Sequence, residues 1–552
     1  MYDSKLRQVI LLETRENAKL DAARCGWCII GIRMSATTNR AMNARHLVTS
    51  TGIVMFFFIL SRALGLVREI AISYQFGTSA SLDAYVAAFR IPDLLFNLVA
   101  GGALASAFIP PFSKLLSDGD VRGSWRLATQ VINLIFVIVV ALCIVAAIFA
   151  EPLVQYTVGI GFAPPEQRLT ASLMRLMLIT PAVFAVSGIV MGILNAHQEF
   201  LLPAAAPALY NLSIIVGALL FAPTLGVYGL AIGVVGGAFL HLFIQVPWLF
   251  RHKIEYTASL GIHDAGVRHV IQLVIPRTIG IAAVQINFLV NTMLASTLVV
   301  GSLAALNYAF LLILLPIGVI AQSIATVLFP TFARLYATDD LNGLRHAFST
   351  GFRVTLFLTV PATVGLMLLA RPIIEILFQR GAFTAESTAM TLTALEFFAL
   401  GLFAHAGLET ITRTFYAMHD TATPVRIGIA SVVLNIILSL ILLGPLQLGG
   451  LALANSVATL LEMLVLLYLL RPRLHGIEGK TIAVSVSKMF VGAAAMAVAI
   501  VLYSSTSLAQ NSLLLLICGI VIGGGAYFVT MFVLQSDEIA LALKSIKFKA
   551  KS

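Results

Sequence analysis

An all-α polytopic membrane protein of about 14 transmembrane helices is the fold class this sequence predicts, and three observations predict it. Only 11% of the 552 residues are charged and 59% are hydrophobic, against about 25% charged in an ordinary soluble domain. Mean hydropathy over the chain is +0.97. The apolar residues gather in runs of about 20 or more, each able to cross a hydrocarbon core about 30 Å thick as a helix. In lipid every backbone N–H and C=O must be satisfied inside the segment, which such runs achieve as helices. A soluble enzyme with a large core is excluded. The net charge of +10 is explained by Lys and Arg in cytoplasmic loops rather than by a nucleic-acid partner.

Residues 1–45 are mixed in charge and unlike the rest, and are expected to form a poorly structured extension. The patch from Trp27 to Ile30 is too short to span, and a charged stretch separates it from the body, so it does not read as a signal peptide. Cys25 and Cys28 form a CxxC without a second pair, a weak metal or redox motif. Cys143 and Cys518 sit in apolar runs as small packing residues. Neither a metal nor a cofactor is expected.

The apolar runs are 48–74, 82–110, 123–150, 166–193, 201–222, 227–250, 268–299, 303–332, 349–370, 388–416, 424–444, 449–471, 485–507 and 511–535. Basic residues mark alternate connections: Lys114, Arg122 and Arg126; Arg251, Lys253 and Arg268; Arg334 and Arg345; Arg471, Arg473 and Lys480. The intervening loops 75–81, 299–301, 445–450 and 504–511 contain no Lys or Arg. Only Arg168, Arg371 and Arg380 oppose the trend. The positive-inside rule then puts both termini in the cytoplasm.

The chain repeats itself. SAFIPPFSKL at 106–115 matches TVLFPTFARL at 326–335, and NAHQEFLLP at 195–203 matches YAMHDTATP at 416–424. Phe162 falls over Phe383 in the same register. Two six-helix lobes follow, 46–250 and 251–475, with 476–552 supplying two extra helices and a basic tail. Internal repeats of this kind are a transporter signature, with the substrate site expected in a central cavity between the halves.

The most informative stretch is Ser61–Leu95, which carries Arg62, Arg68, Glu69, Asp83, Arg90 and Asp93 inside apolar surroundings. A charge at a helix centre costs about 2.5–3.5 kcal/mol on insertion scales, so such residues usually face a bundle interior or a watery cavity. Arg62 and Glu69 are two turns apart on one face. Arg62, with FFFIL before it, is expected to lie deepest, and Arg90 to pair with Asp93. The bland alternative is that Arg68, Glu69 and Asp83 flank a turn and snorkel into water.

Together SRALGLVRE at 61–69, LDAYVAAFRIPDLL at 82–95, GILNAHQEFLLPAAAPALYN at 192–211, QINFLVNTMLAS at 285–296, LFQRGAFTAEST at 377–388 and FYAMHDTATPVR at 415–426 resemble the MurJ (MviN) family. These are lipid II flippases of the MOP (multidrug/oligosaccharidyl-lipid/polysaccharide) exporter superfamily in the bacterial inner membrane. The resemblance covers the chain from about residue 45 to the end. It implies a V-shaped cavity between two lobes and movement of undecaprenyl-diphosphate-linked peptidoglycan precursor to the outer leaflet. It also implies a groove on the last two helices for the lipid tail. Arg62, Arg68, Glu69 and Asp83 fall on charged positions of the family pattern, whereas Phe96, Leu311 and Leu314 stand where the family carries further charges. An ion site of some members maps to Asn291, Asn435, Ser439, Leu451 and Asn455. Its carboxylates are replaced by Asn291 and Ser439, so a proton or the membrane potential is favoured over sodium.

His405 and Glu409 are one turn apart and read either as a proton-sensitive pair or, with Arg413, as an ion-paired helix end. His241 reads as an ordinary interfacial histidine. Proline and glycine flank Arg277, where a bend can open. No nucleotide loop, metal spacing or nucleophile triad is present. The alternatives to lipid II transport are export of another polyprenyl-linked saccharide, or a non-transporting scaffold that meets cell-wall synthesis proteins. The topology has a direct check: a reporter fused after Lys551 should be active only as a cytoplasmic enzyme, and periplasmic activity would overturn it.

Overall fold

The computed structural model describes residues 52, 54–100, 102–252 and 255–540. The N-terminal extension with Cys25 and Cys28, and the lysines at 544–551, lie outside the described residues. Among those described the chain is helical throughout, with no strand. Among the described residues, nine helices are long and apolar enough to cross a membrane singly, or eleven if two bent pairs each count as one span.

The longest continuous stretch, Ala422–Arg473, hides a turn. Its 52 residues would reach about 78 Å if straight, more than twice the hydrocarbon core. Gln447 breaks it with φ 46° and ψ −121°. Ser431 Oγ donates to Ala458 O at 3.2 Å, although a straight helix would hold these residues about 40 Å apart. Asp420 and Arg473 close the far end at 3.1 Å. The stretch is therefore an antiparallel hairpin, as the separate runs 424–444 and 449–471 predict.

The repeat is visible in local geometry. Asp120 and Asp340 each cap a 28-residue helix, Val121–Ile148 and Leu341–Leu368, with nearly equal backbone angles. Each carboxylate accepts from a glycine N–H three residues on, at 2.8 Å in both copies. This is N-cap chemistry, satisfying donors that the first turn leaves unpaired. Gln198 and His419, likewise in register, both hold positive φ. A π-helical turn also recurs, at Phe96–Ala100 and Ile317–Gln322.

The bend expected beside Arg277 falls between Ala265–Ile275 and Gly280–Ser296, which meet at 49°. Outside, Phe56, Phe58, Val521, Val529 and Phe532 are exposed, the apolar surface that lipid covers. Inside, one apolar cluster runs from Phe108, Phe112 and Trp125 to Tyr308 and Phe378. A second joins Phe348, Phe352 and Phe415 to Met489 and Tyr527 of the last two helices. Cys143 and Cys518 are free thiols.

A charged clamp holds those last helices. Arg353 Nη1 meets Glu538 Oε1 at 2.7 Å with both side chains buried, and Ser485 and Ser536 hydroxyls donate to the same carboxylate. Burial alone raises the Glu538 carboxyl, but the serine hydrogen bonds and the Arg353 charge outweigh it and hold it below the usual glutamate range. A depressed pKa stabilises the fold above the unfolded value of about 4.3, and that contribution is lost as pH falls through the folded value. Glu538→Ala leaves Arg353 only the exposed Asp537 carboxylate at 3.4 Å and should cost about 1.5–3 kcal/mol, the worth of a hydrogen bond to a charged group, read as a lowered melting temperature in detergent at neutral pH. The deficit relative to the parent should shrink in acid.

Candidate functional site: a charged cavity between the repeats

The helix at 54–76 brings Arg68 and Glu69 into the bundle. Neighbouring positions on a helix do not face each other, but the arginine stem curls round so that Nη2 reaches Glu69 Oε1 at 2.6 Å. Arg68 Nη1 also donates to Asn211 Oδ1 at 3.0 Å, and Asn211 donates back to Ser61 O. The motif PALYN thereby supplies the polar wall behind Arg68, with Tyr210 beside it.

Arg68, Glu69 and Tyr210 line a cavity of about 200 Å³, completed by Arg90 and Asp93 of the Ala80–Leu95 helix. Tyr85 and Tyr210 form its sides, and Asn307 and Tyr308 come from Ser302–Pro316 in the second copy of the repeat. Four of the expected charges thus converge, Arg68 and Glu69 with Arg90 and Asp93. The tyrosines and Asn307 were not legible as site residues, because only the packed fold aims them inward. Such a space can admit the oxygens of a diphosphate.

Several expectations need correction. Arg62 is not the deepest charge: it is exposed, over the Phe58 ring at 5.3 Å from the centroid, and is not on the cavity wall. A shared helical face implies shared burial only where neighbours flank the whole helix, and its first turns expose Met55, Phe56 and Ile59. Arg90 does not pair with Asp93. Its Nε donates to Thr292 Oγ1 at 2.9 Å, while Gln285 and Asn97 take the Asp93 oxygens. Nor does His405 pair with Glu409. His405 Nε2 lies 3.1 Å from Asn455 Oδ1 and 3.3 Å from Thr459 Oγ1, and among the described residues Glu409 has no salt bridge, with Arg413 or otherwise.

Asp83 is buried but does not line the cavity. Its Oδ2 accepts from Gly301 N at 2.6 Å and its Oδ1 from Ala304 N at 2.8 Å. It therefore caps the helix beginning at Ser302, where backbone donors and the helix dipole favour a negative charge. Around it the two halves interlock: Thr78 Oγ1 lies 2.8 Å from Ser387 Oγ, and Ala382 N donates to Tyr74 O at 2.8 Å. Gly77 and Gly301 hold φ of +55° and +90°, and a Cβ on either would strike the opposing backbone within 2.4 Å. Only glycine fits both demands. This end is sealed.

Three of the mapped ion ligands come together. Asn291 Nδ2 donates to Asn435 Oδ1 at 3.2 Å, and Ser439 Oγ to Asn291 Oδ1 at 3.5 Å. Leu451 is buried in the facing helix, and Asn455 turns away to His405. No cluster of three or more His, Cys, Asp or Glu suited to a metal occurs among the described residues. Phe96, at a family arginine position, packs on Phe184 at 5.3 Å between ring centroids. His241 is an interior histidine, 2.7 Å from Ser187 Oγ through Nδ1. The seal makes a test: cysteines at Thr78 and Ser387 should form a disulfide under mild oxidation, and the bond should lock this end until reduced.

The family model described as lipid II flippase MurJ matches residues 72–535. A probable lipid II flippase MurJ of Vibrio cholerae is 30% identical over 434 residues, 77% of this chain and 82% of that protein. The lipid II flippase MurJ of Burkholderia cenocepacia is 29% identical over 439 residues, 78% and 84% of the two chains. A solved lipid II flippase MurJ in an inward closed conformation superposes with TM-score 0.76 at 28% identity, covering 88% of this chain and 99% of that one. An inward-facing MATE family transporter of the MOP superfamily shares the fold at TM-score 0.65 and 15% identity, over 77% and 99%. With a cavity between two repeats and a family match over most of its length, the chain belongs to the MurJ family of lipid II flippases.

Proposed function

We propose that the chain is a lipid II flippase. It moves the undecaprenyl-diphosphate-linked precursor from the inner to the outer leaflet of the bacterial cytoplasmic membrane by alternating access, as a transporter rather than an enzyme. The observation that carries this reading is the arginine-bearing cavity between the halves of a repeat, in a chain of this family. Guanidinium groups bind diphosphate oxygens with paired, charge-assisted bonds, and Arg68 and Arg90 present them. On this reading Glu69 tempers Arg68, Asp83 holds the periplasmic seal, and Arg62 meets substrate at the lipid-facing edge.

The topology that goes with it has fourteen crossings and both termini in the cytoplasm. Residues 46–250 and 251–475 are the lobes, and the segment from 476 carries the extra pair. Partners are lipid II, the surrounding membrane lipids and cell-wall synthesis proteins at the membrane face. No cofactor is needed. Because Asn291, Asn435 and Ser439 meet one another without a carboxylate, the drive is the membrane potential or protons rather than sodium. Each negative charge moved outward gains about 2.3 kcal/mol per 100 mV in an inside-negative cell.

Complementation of a strain depleted of its own flippase tests the reading. The parent chain should restore growth, Arg68→Ala should abolish rescue at normal membrane levels, and Arg68→Lys should rescue in part. Full growth on well-expressed Arg68→Ala and Arg90→Ala would remove both arginines from the substrate site. In proteoliposomes, transport should follow an imposed voltage and ignore a sodium gradient.

A further inference from the structure

Behind the cavity wall that carries Arg90 and Asp93 lies a seam between Ala80–Leu95 and Ala265–Ser296, helices from opposite halves of the repeat. Arg90 Nε donates to Thr292 Oγ1 at 2.9 Å, and its guanidinium carbon lies 5.5 Å from the Phe288 ring centroid. A turn away, Gln285 Nε2 donates to Asp93 Oδ2 at 3.1 Å, and Asn97 holds Oδ1 at 3.0 Å. Gln285, Phe288 and Thr292 follow the i, i+3, i+7 spacing of one helical face, as Arg90 and Asp93 follow i, i+3 on theirs.

The two cavity arginines differ in how their charge is met. Arg68 has Glu69 at 2.6 Å. Among the described residues Arg90 has no carboxylate within salt-bridge distance, and Nε is its only hydrogen-bonding nitrogen. Its other two nitrogens belong to a residue on the cavity wall. A guanidinium so placed is completed by an anion that enters the cavity. Paired binding along the side of the fork uses Nε together with one terminal nitrogen, and Nε is the atom Thr292 holds.

We propose that Arg90 is both the anion hook of this cavity and a latch between the two halves, so that a bound diphosphate takes Nε from Thr292 and loosens the seam. This rests on the reading of the cavity as a polyprenyl-diphosphate site. Asp93 and Gln285 make the second rung, which no anion contests, so the helices keep register while the first rung opens. Thr292 acts as a positioning residue.

Competition fixes the sign of the test. Undecaprenyl diphosphate binding is measured on the full-length chain in detergent, for the parent, Thr292→Val, Thr292→Ser and Arg90→Lys. Freed of its rival acceptor, Arg90 should bind about 10- to 100-fold more tightly in Thr292→Val, the worth of one hydrogen bond to a charged group. Thr292→Ser keeps the hydroxyl and should bind like the parent, whereas Arg90→Lys should bind more weakly. Should the valine variant misfold, hydrogen exchange of the parent decides: added diphosphate should speed exchange across 285–292. Unchanged or weaker binding in a folded Thr292→Val, or slower exchange, overturns the latch while leaving the transport reading standing. No binding by the parent overturns both.

Discussion

A carboxylate withdrawn from water must be given donors, and Asp83 finds both of its donors on the other half of the molecule. Gly301 N and Ala304 N are groups that the start of a helix leaves without internal partners, so one contact satisfies a buried charge and a helix end together. The rest of the sealed end is arranged around it. Gly301 lets the backbone approach at positive φ, Thr78 and Ser387 join beside it, and Ala382 bonds to Tyr74. With that end closed, the cavity behind it is bounded by both halves. Replacing Asp83 would leave two helix-end donors unpaired as well as remove a charge.

The architecture was legible because lipid enforces it. Helical runs, their boundaries and the repeat all follow from apolar length and from matched motifs, and Asp120 and Asp340 repeat even the geometry of their caps. The hairpin at Gln447 was legible as two runs although its backbone reads as one helix. The site was legible as a set of charges and not as a set of partners. Spacing correctly drew Arg68, Glu69, Arg90 and Asp93 together. It misjudged Arg62, because depth depends on which turns are flanked by neighbours. It also misjudged Arg90 and His405, whose partners Thr292 and Asn455 lie 202 and 50 residues away. Neutral groups carry no sequence signal of their own, so Tyr85, Tyr210 and Asn307 had to wait for the fold.

Around the charged cavity several contacts are neutral. Phe96 packs on Phe184, and Asp93 is held by two amides. Asn291 and Ser439 bond to each other without a carboxylate. Each of these contacts is local and carries no cation. The remaining guanidinium groups consequently stand out more sharply against their surroundings, which favours a doubly charged ligand over a neutral sugar.

The matched 28-residue helices have a mechanical consequence. At about 1.5 Å per residue each is a rod about 42 Å long, some 12 Å longer than the hydrocarbon core. One belongs to each copy of the repeat, and both begin at the basic end of the bundle, away from the Asp83 seal. If the seal acts as a pivot, a swing of about 20° carries the free end of such a rod through roughly 14 Å. A lever of that length converts a small angular change among a few glycines and one carboxylate into a mouth wide enough for a bulky polar headgroup.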